Sequence, residues 1–385
     1  MALVGVCQHA VRPTASYRTL ELGGTASTIG VIASSYAVLA VLTAIPLGRA
    51  LDRADPKRYF VWGVGILLVG TMVSALAPTV VALGVGQAFA GLGRMTSAVS
   101  IQTLVANRRH SNRDQGFARL AVANSIGQLL GPSIAGGALD LAPDVVPEFS
   151  PSSLSFIVAA AFGLAGTLVA VRAIDSEPSR RTGPSSTDES RAPVTTILRR
   201  KGVPQSLLVG LAVMTAIDLT TVYLPLLGES RGIAASTIGL LLSIRAVAGL
   251  LSRLALTYTL QRFGRRRLLL VSLLAAGGAV LGIATFETFL LLAPMLFVMG
   301  YGLGIGTPLT MSWLAVQAPR EERGTALAIR MTGSRLAQIV LPVTFGGLAS
   351  LLGPGAVFVG MAVTLLAGAS VLRASPVEPP AGRGT

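Results

Sequence analysis

Asp218 is the one carboxylate of this chain that stands inside a long apolar stretch, with Thr220, Thr221 and Tyr223 close behind it. Arg245 lies about a third of the way down the next apolar stretch. An ionisable side chain at a membrane helix centre costs about 2.5–3.5 kcal/mol, so it faces the protein interior or water and pairs where it can. Two readings of Asp218 and Arg245 stay open. In one they form a structural ion pair, each charge offsetting the other's desolvation. In the other, Asp218 takes up a proton or a cationic solute in alternation with Arg245. Burial favours the neutral carboxyl and a guanidinium favours the carboxylate, so a site between the two can load and release a proton near neutrality.

Other polar residues recur at helical spacing inside apolar stretches. Arg335 and Gln338 are one turn apart on one face, and Gln128 occupies the matching place in an earlier segment. His9 and Arg12 share a face, and Tyr17 and Arg18 end the same stretch. Arg330 stands nearer an end and can snorkel. The candidate solute contacts are therefore Arg12, Tyr17, Gln128, Tyr223, Arg335 and Gln338, beside Asp218 and Arg245 for the proton. Arg12, Arg245 and Arg335 against one Asp218 make the set net positive. That points to an anionic or zwitterionic solute, or to a neutral one with a counter-charged proton cycle. The plain alternative for the glutamines is hydrogen bonding between helices.

Several chemistries are excluded. No Ser-His-Asp set and no paired carboxylates occur within the apolar stretches, so no hydrolase is expected. The two histidines, His9 and His110, are too few and too far apart for zinc, and Cys7 is the only cysteine. Gly300-Tyr-Gly-Leu-Gly-Ile-Gly306 is no nucleotide loop: no strand precedes it, no Lys-Ser/Thr follows it, and it lies inside an apolar run. No cofactor and no metal are expected, and energy must come from a gradient.

The elements that hold these residues are repeated. Gln128-x-x-x-Pro132-x-x-x-Gly136-Gly137 returns as Gln338-x-x-x-Pro342-x-x-x-Gly346-Gly347, 210 positions on. Ala26-Ser-Thr-Ile-Gly30 returns as Ala235-Ser-Thr-Ile-Gly239, and Gly91-x-Gly93 as Gly300-x-Gly302, each 209 positions on. Three collinear anchors at nearly one offset describe a chain built twice, its copies parallel in sequence. Gly127 and Gly131 share one helix face, as do Pro132 and Gly136. With Gly346 these are the expected close-packing positions, where a neighbouring backbone can approach.

Of 385 residues, 52% are hydrophobic and 12% charged, and mean hydropathy is +0.69. A soluble domain carries about 25% charged residues, so this is an all-α polytopic membrane protein. About twelve transmembrane helices are expected: 1–20, 25–47, 60–78, 80–105, 117–139, 153–173, 206–227, 236–258, 268–286, 289–315, 326–350 and 355–373. The first barely reaches the ~20 residues a crossing needs, and a start upstream of Met1 is expected. The domains follow: a six-helix half over 1–174, a linker over 175–205 rich in Pro, Ser and Thr, a second half over 206–373, and a tail over 374–385.

The net charge of +14 is a topology signal. Segments 49–58, 106–119, 172–201, 253–267, 320–323 and 373–385 hold 24 basic and 10 acidic residues, against 2 and 6 in the alternate connections. Basic loops stay inside, so both termini are expected in the cytoplasm and no nucleic-acid partner is needed.

Twelve spans in two parallel halves with a long central loop resemble the major facilitator superfamily, over essentially the whole chain. Gly48-Arg-Ala-Leu-Asp52-Arg53-Ala-Asp-Pro-Lys57-Arg58 resembles that family's loop between spans two and three, through Gly48, Asp52, Arg53 and Lys57. Asp55-Pro56 replaces the family's Gly-Arg, and in the second half Gln261 stands where Asp52 would. Gly127-x-x-x-Gly131-Pro132 resembles the fifth-span motif of its proton-coupled exporters, with Gly136-Gly137 one residue later than in the family form. Gln87 occupies the place of an Arg common in span four. The resemblance implies a secondary transporter of the drug and metabolite antiporter branch. It would export a small molecule against protons by alternating access, as a monomer in the plasma or inner membrane. A proton-coupled importer of an organic anion and a transport-inactive sensor or scaffold are the alternatives.

Overall fold

The computed structural model describes residues 1–51, 55–106, 110–173, 202–317 and 323–374. All regular structure among them is helical. The first half comprises α1 (Ala2–Glu21), α2 (Ala26–Leu51), α3 (Pro56–Ala75), α4 (Val80–Ala106), α5 (His110–Val145) and α6 (Pro151–Ala173). The second comprises α7 (Val203–Ser230), α8 (Ala235–Leu254), α9 (Leu256–Phe263), α10 (Arg265–Thr285), α11 (Phe289–Gln317), α12 (Arg323–Leu352) and α13 (Gly355–Arg373). Apart from the eight-residue α9, these are the twelve long helices the hydropathy pattern calls for.

Two boundaries differ from the sequence expectation. The span placed at 236–258 ends at Leu254, and residues 256–263 form the separate helix α9, none of whose residues is buried. Its apolar Leu256, Leu260 and Phe263 recur at helical spacing between Tyr258, Gln261 and Arg262, so it is amphipathic. Gly264, at φ 71°, turns the chain from it into α10. The span placed at 117–139 is longer, and Asp140 lies within α5 instead of in a loop. The Asp55-Pro56 departure has a local cause. Asp55 accepts from the Lys57 backbone N–H at 2.9 Å and Pro56 occupies the first turn, an N-cap that starts α3.

Nine helices among the described residues are long and apolar enough to cross a membrane. Large apolar side chains such as Trp62, Val81, Leu290 and Leu351 stand outward, at 70–82% exposure. Such a surface is stable only in lipid. α1, α4 and α5 are less apolar, and α1 shows why that is tolerated. It packs against α2, α5 and α6, and thirteen of its twenty residues are buried. Its Thr14 and Thr19 hydroxyls donate to the carbonyls of Ala10 and Ala15. A helix wrapped in protein needs no lipid-compatible face.

By packing, the described chain divides into two units. One holds α1–α6 with 221–243 and 339–354. The other holds α7 up to Thr220, 244–338 and the helix after Gly355. α7, α8 and α12 therefore each pass from one unit into the other, at 220/221, 243/244 and 338/339. Of the expected linker 175–205 and tail 374–385, all but 202–205 and Ala374 lie outside the described residues.

Candidate functional site

Asp218 sits a little past the middle of α7, half-buried, where its Oδ2 accepts a hydrogen bond from the Gln338 amide of α12 at 2.8 Å. Arg335, one turn before Gln338, donates through Nη1 to the Gln338 Oε1 at 3.4 Å. Arg245 of α8 donates to the backbone carbonyl of Ile217 at 3.3 Å, the residue before Asp218. Four residues singled out for chemistry thus meet on three helices. The amide of Gln338 is held at both ends, its oxygen toward a guanidinium and its nitrogen toward a carboxylate. The fold brings Arg245 there through a glycine. A Cβ on Gly300 of α11 would lie 2.9 Å from the Arg245 Cα, so only glycine lets the two helices approach.

The small-residue repeats have partners that local sequence does not name. The second copy of Ala-Ser-Thr-Ile-Gly begins α8, and it packs on the first Gln-x-x-x-Pro motif, in α5. A Cβ on Gly239 would lie 3.0 Å from the Ser133 Cα, and one on Gly136 would lie 2.9 Å from the Ser236 Cα. The first copy begins α2 and packs on the second motif, in α12. A Cβ on Gly30 would lie 2.9 Å from the Pro342 carbonyl carbon, and one on Gly346 would lie 3.1 Å from the Ser27 Cα. The repeats therefore engage crosswise, as two seams related by the 209–210 offset.

Hydroxyls bridge both seams. The Ser133 and Ser243 oxygens lie 2.7 Å apart, and Ser243 also donates to the Leu129 carbonyl. Ser27 and Ser350 oxygens lie 2.8 Å apart, and the Ser34 hydroxyl donates to the Ile339 carbonyl at 2.5 Å. At one matched position the seams differ. Asp140 accepts from the backbone N–H groups of Ala235 and Ser236 at 3.1 and 2.9 Å, capping α8 with a carboxylate. Its counterpart 210 positions on is Ser350, which accepts from the Ser27 N–H at 3.0 Å with a neutral hydroxyl.

The other expected positions distribute as follows. Tyr223 is fully buried, and its hydroxyl donates to the Pro342 carbonyl at 2.6 Å, inside the α2–α12 seam. Gly127 and Gly131 face α1: Cβ atoms there would meet the backbone of Gly5 at 2.7 Å and of Val6 at 2.9 Å. Pro132 and Gly136 turn to α8, so one motif serves two neighbours. Tyr17 is buried, and Gln128 is half-buried on α5. Arg12 lies over the ring of Tyr36, 5.6 Å from its centroid. Arg18 and Glu21 pair at 3.1 Å, and Glu21 accepts from the Ser152 N–H at 2.9 Å, tying the end of α1 to the start of α6. Gly48 falls in the last turns of α2 and Lys57 in the first turn of α3, whereas Asp52 and Arg53 lie outside the described residues. No group of three metal-ligating side chains occurs among the described residues. Sequence reading passed over Tyr36, Asp140, Ser133, Ser243 and Ser350. Only the last three carried a usable signal, as small polar residues one or two turns from repeated glycines.

The Major Facilitator Superfamily model matches residues 1–234 and again 206–385, which together span the chain. The chain belongs to the Major Facilitator Superfamily. Membership makes it a multi-pass membrane protein of a transporter family, not an enzyme. A nucleoside transporter, NupG, superposes with a TM-score of 0.78 over 97% of this chain and 98% of its own, at 15% identity. A bacterial homologue of the human lysosomal transporter Spinster, in an inward-facing and occupied conformation, gives 0.78 over 97% and 94%, at 14% identity. A POT family transporter in complex with a thioalcohol-conjugated peptide gives 0.73 over 97% and 95%, at 16% identity. At these identities the superfamily fold is what is shared. No curated protein matches the sequence.

Proposed function

We propose that this superfamily member is a secondary active transporter that exports a small molecule in exchange for protons by alternating access. The observation that carries the reading is the hydrogen bond from Gln338 to Asp218. Ionised, Asp218 accepts the amide proton and ties α7 to α12. With a proton on the carboxyl, the charge that strengthens this bond is gone. Five residues along α7 from Asp218, Tyr223 ties the same two helices again through the Pro342 carbonyl. A change of protonation at Asp218 therefore bears on the same pair of helices that close the α2–α12 seam. The two seams adjoin the connections 22–25 and 231–234, which the charge pattern places outside. We assign them to the closed outer gate of one state in the cycle, with both termini in the cytoplasm of a plasma or inner membrane. The neighbours named for nucleoside and peptide transport support small polar solutes as cargo.

The test uses inside-out vesicles with an imposed pH gradient, a solute screen, and proton movement as the readout. The wild type is expected to show solute-dependent proton flux, and a chain without any such flux is not a proton-coupled transporter. Asp218→Asn keeps shape and hydrogen bonding but cannot titrate. It should lose gradient-driven accumulation while retaining downhill exchange. If Asp218 only pairs structurally, the variant is unstable instead, and Asp218→Asn with Arg245→Gln regains stability. Full accumulation by a well-folded Asp218→Asn sinks the coupling assignment.

A further inference from the structure

No residue of α9 is buried, and the proton cycle leaves this helix unused. Both of its neighbours hold it beside the membrane. α8 turns leucines outward up to its last residue, with Leu251 43% and Leu254 73% exposed. α9 begins two residues later, at Leu256. α10 presents an outward apolar side chain again at Val271, 62% exposed. That is six residues after Arg265, about 9 Å along the helix. The short helix therefore sits at the edge of the hydrocarbon layer that α8 and α10 cross.

Its residues suit that edge. Leu256, Leu260 and Phe263 fall on one stripe at helical spacing. Tyr258 and Phe263 are exposed, and Arg262 stands between them. The Arg262 Nη1 donates to the Tyr258 hydroxyl at 2.9 Å, and its guanidinium lies 5.9 Å from the Phe263 ring centroid. Amphipathic aromatic rings settle at headgroup level, and a long cationic side chain there reaches for the polar layer. After the turn at Gly264 come Arg265, Arg266 and Arg267, and Arg266 is anchored on the Arg373 carbonyl of α13 at 2.6 Å. From 253 to 267 there are five arginines and no acid. The matched segment of the first half, 49–58, has four basic residues but also Asp52 and Asp55. Gln261 and Gly264 stand at those two places, 209 positions on. Acidic residues weigh little in orienting a chain, so topology does not ask for their removal. Binding of an anion does.

We propose that α9 and the arginines around its end form a docking surface for anionic phospholipid of the adjoining leaflet. The stripe of Leu256, Leu260 and Phe263 enters the acyl boundary, and Arg262, Arg265, Arg266 and Arg267 receive the phosphate groups. A guanidinium fork matches two phosphate oxygens at once. Free phosphate shares that chemistry, but only a lipid also covers the stripe. A lipid held there fixes the end of α8, the helix that carries Arg245. The surface depends on the membrane-spanning fold and on neither the solute nor the proton.

Purified full-length protein in neutral, lipid-free detergent tests this by titration with phosphatidylglycerol, phosphatidylcholine or inorganic phosphate. Phosphatidylglycerol should raise the unfolding temperature in a saturable way, less so as salt rises, and the other two should not. Each basic residue near an anionic lipid surface is worth about fivefold in binding. Arg262→Gln with Arg267→Gln, both exposed, should therefore weaken phosphatidylglycerol binding about 25-fold. Arg119→Gln with Arg172→Gln removes two exposed arginines elsewhere and should leave it unchanged. Phe263→Glu, on an exposed site, should weaken it through the stripe alone. Equal stabilisation by phosphatidylcholine or by phosphate, unchanged affinity in the Arg262 and Arg267 variant, or equal loss in the Arg119 and Arg172 variant each overturns the surface. A second measurement reads the helix itself. A nitrobenzoxadiazole label on Phe263→Cys, in a Cys7→Ala background in nanodiscs, should shift to the blue when phosphatidylglycerol joins phosphatidylcholine. An unshifted spectrum overturns the proposal. Neither readout involves flux, so the outcome stands apart from the transport reading.

Discussion

The crosswise seams make a quantitative demand on four glycines. A Cβ on Gly136 would lie 2.8 Å from the Ala235 carbonyl carbon and 2.9 Å from the Ser236 Cα. Carbon atoms rest about 3.5–4.0 Å apart, so Gly136→Ala forces α5 and α8 to separate by roughly 0.6–1 Å at this point. The obstructing atoms are backbone, which no rotamer change can move. Overpacking of this kind costs about 1–3 kcal/mol, which corresponds to about 5–150-fold in the population of the clasped state. Gly346→Ala is matched, since its Cβ would lie 2.6 Å from the Tyr223 hydroxyl and 2.8 Å from the Ala26 carbonyl oxygen. The controls are built in: Cβ atoms on Gly137 and Gly347 would meet nothing within 4 Å. The assay is disulfide trapping in native membranes, in a Cys7→Ala background. Ser133→Cys with Ser243→Cys reports on one seam and Ser27→Cys with Ser350→Cys on the other. Their present oxygens lie 2.7 and 2.8 Å apart. Gly136→Ala should slow oxidation of the first pair at least fivefold, and Gly137→Ala should not. Equal rates in the two variants would refute the claim that these glycines are needed for backbone approach.

Asp140→Ala removes a cap from α8 and should weaken the α5–α8 seam by about 0.5–2 kcal/mol. Ser350→Ala should do less at the matched position, and the same trapping rates compare them. Asp55→Ala removes the N-cap of α3 and should lower stability by about 1 kcal/mol, read as an earlier thermal transition in detergent with the seams unaffected. Reporters after Thr385 and within 180–190 should report cytoplasm and one within 143–149 the opposite side. A cytoplasmic signal at 143–149 would reverse the orientation.

The class of this protein was legible in its composition, because a chain with so few charges cannot cover itself with water-compatible surface. The repeat was legible too. Duplication leaves the same residues at the same interval, as Ala26-Ser-Thr-Ile-Gly30 and Ala235-Ser-Thr-Ile-Gly239 show. Glycines four apart announce that something packs closely, but not what. That the start of α8 rests on α5, and the start of α2 on α12, is a long-range pairing that no local spacing encodes. Sequence also limited the embedded acids to Asp218, while its hydrogen-bond donor was a matter of tertiary structure. In the fold the Gln338 amide donates to the carboxylate, and Arg245 donates to the carbonyl of the residue before it. Tyr36 carried no signal at all, being one aromatic residue in an apolar run. Only in the fold does Gly91 let α4 close over its backbone and Arg12 come to lie over its ring. Close packing between distant segments depends on which surfaces meet, and that is decided by the whole chain at once.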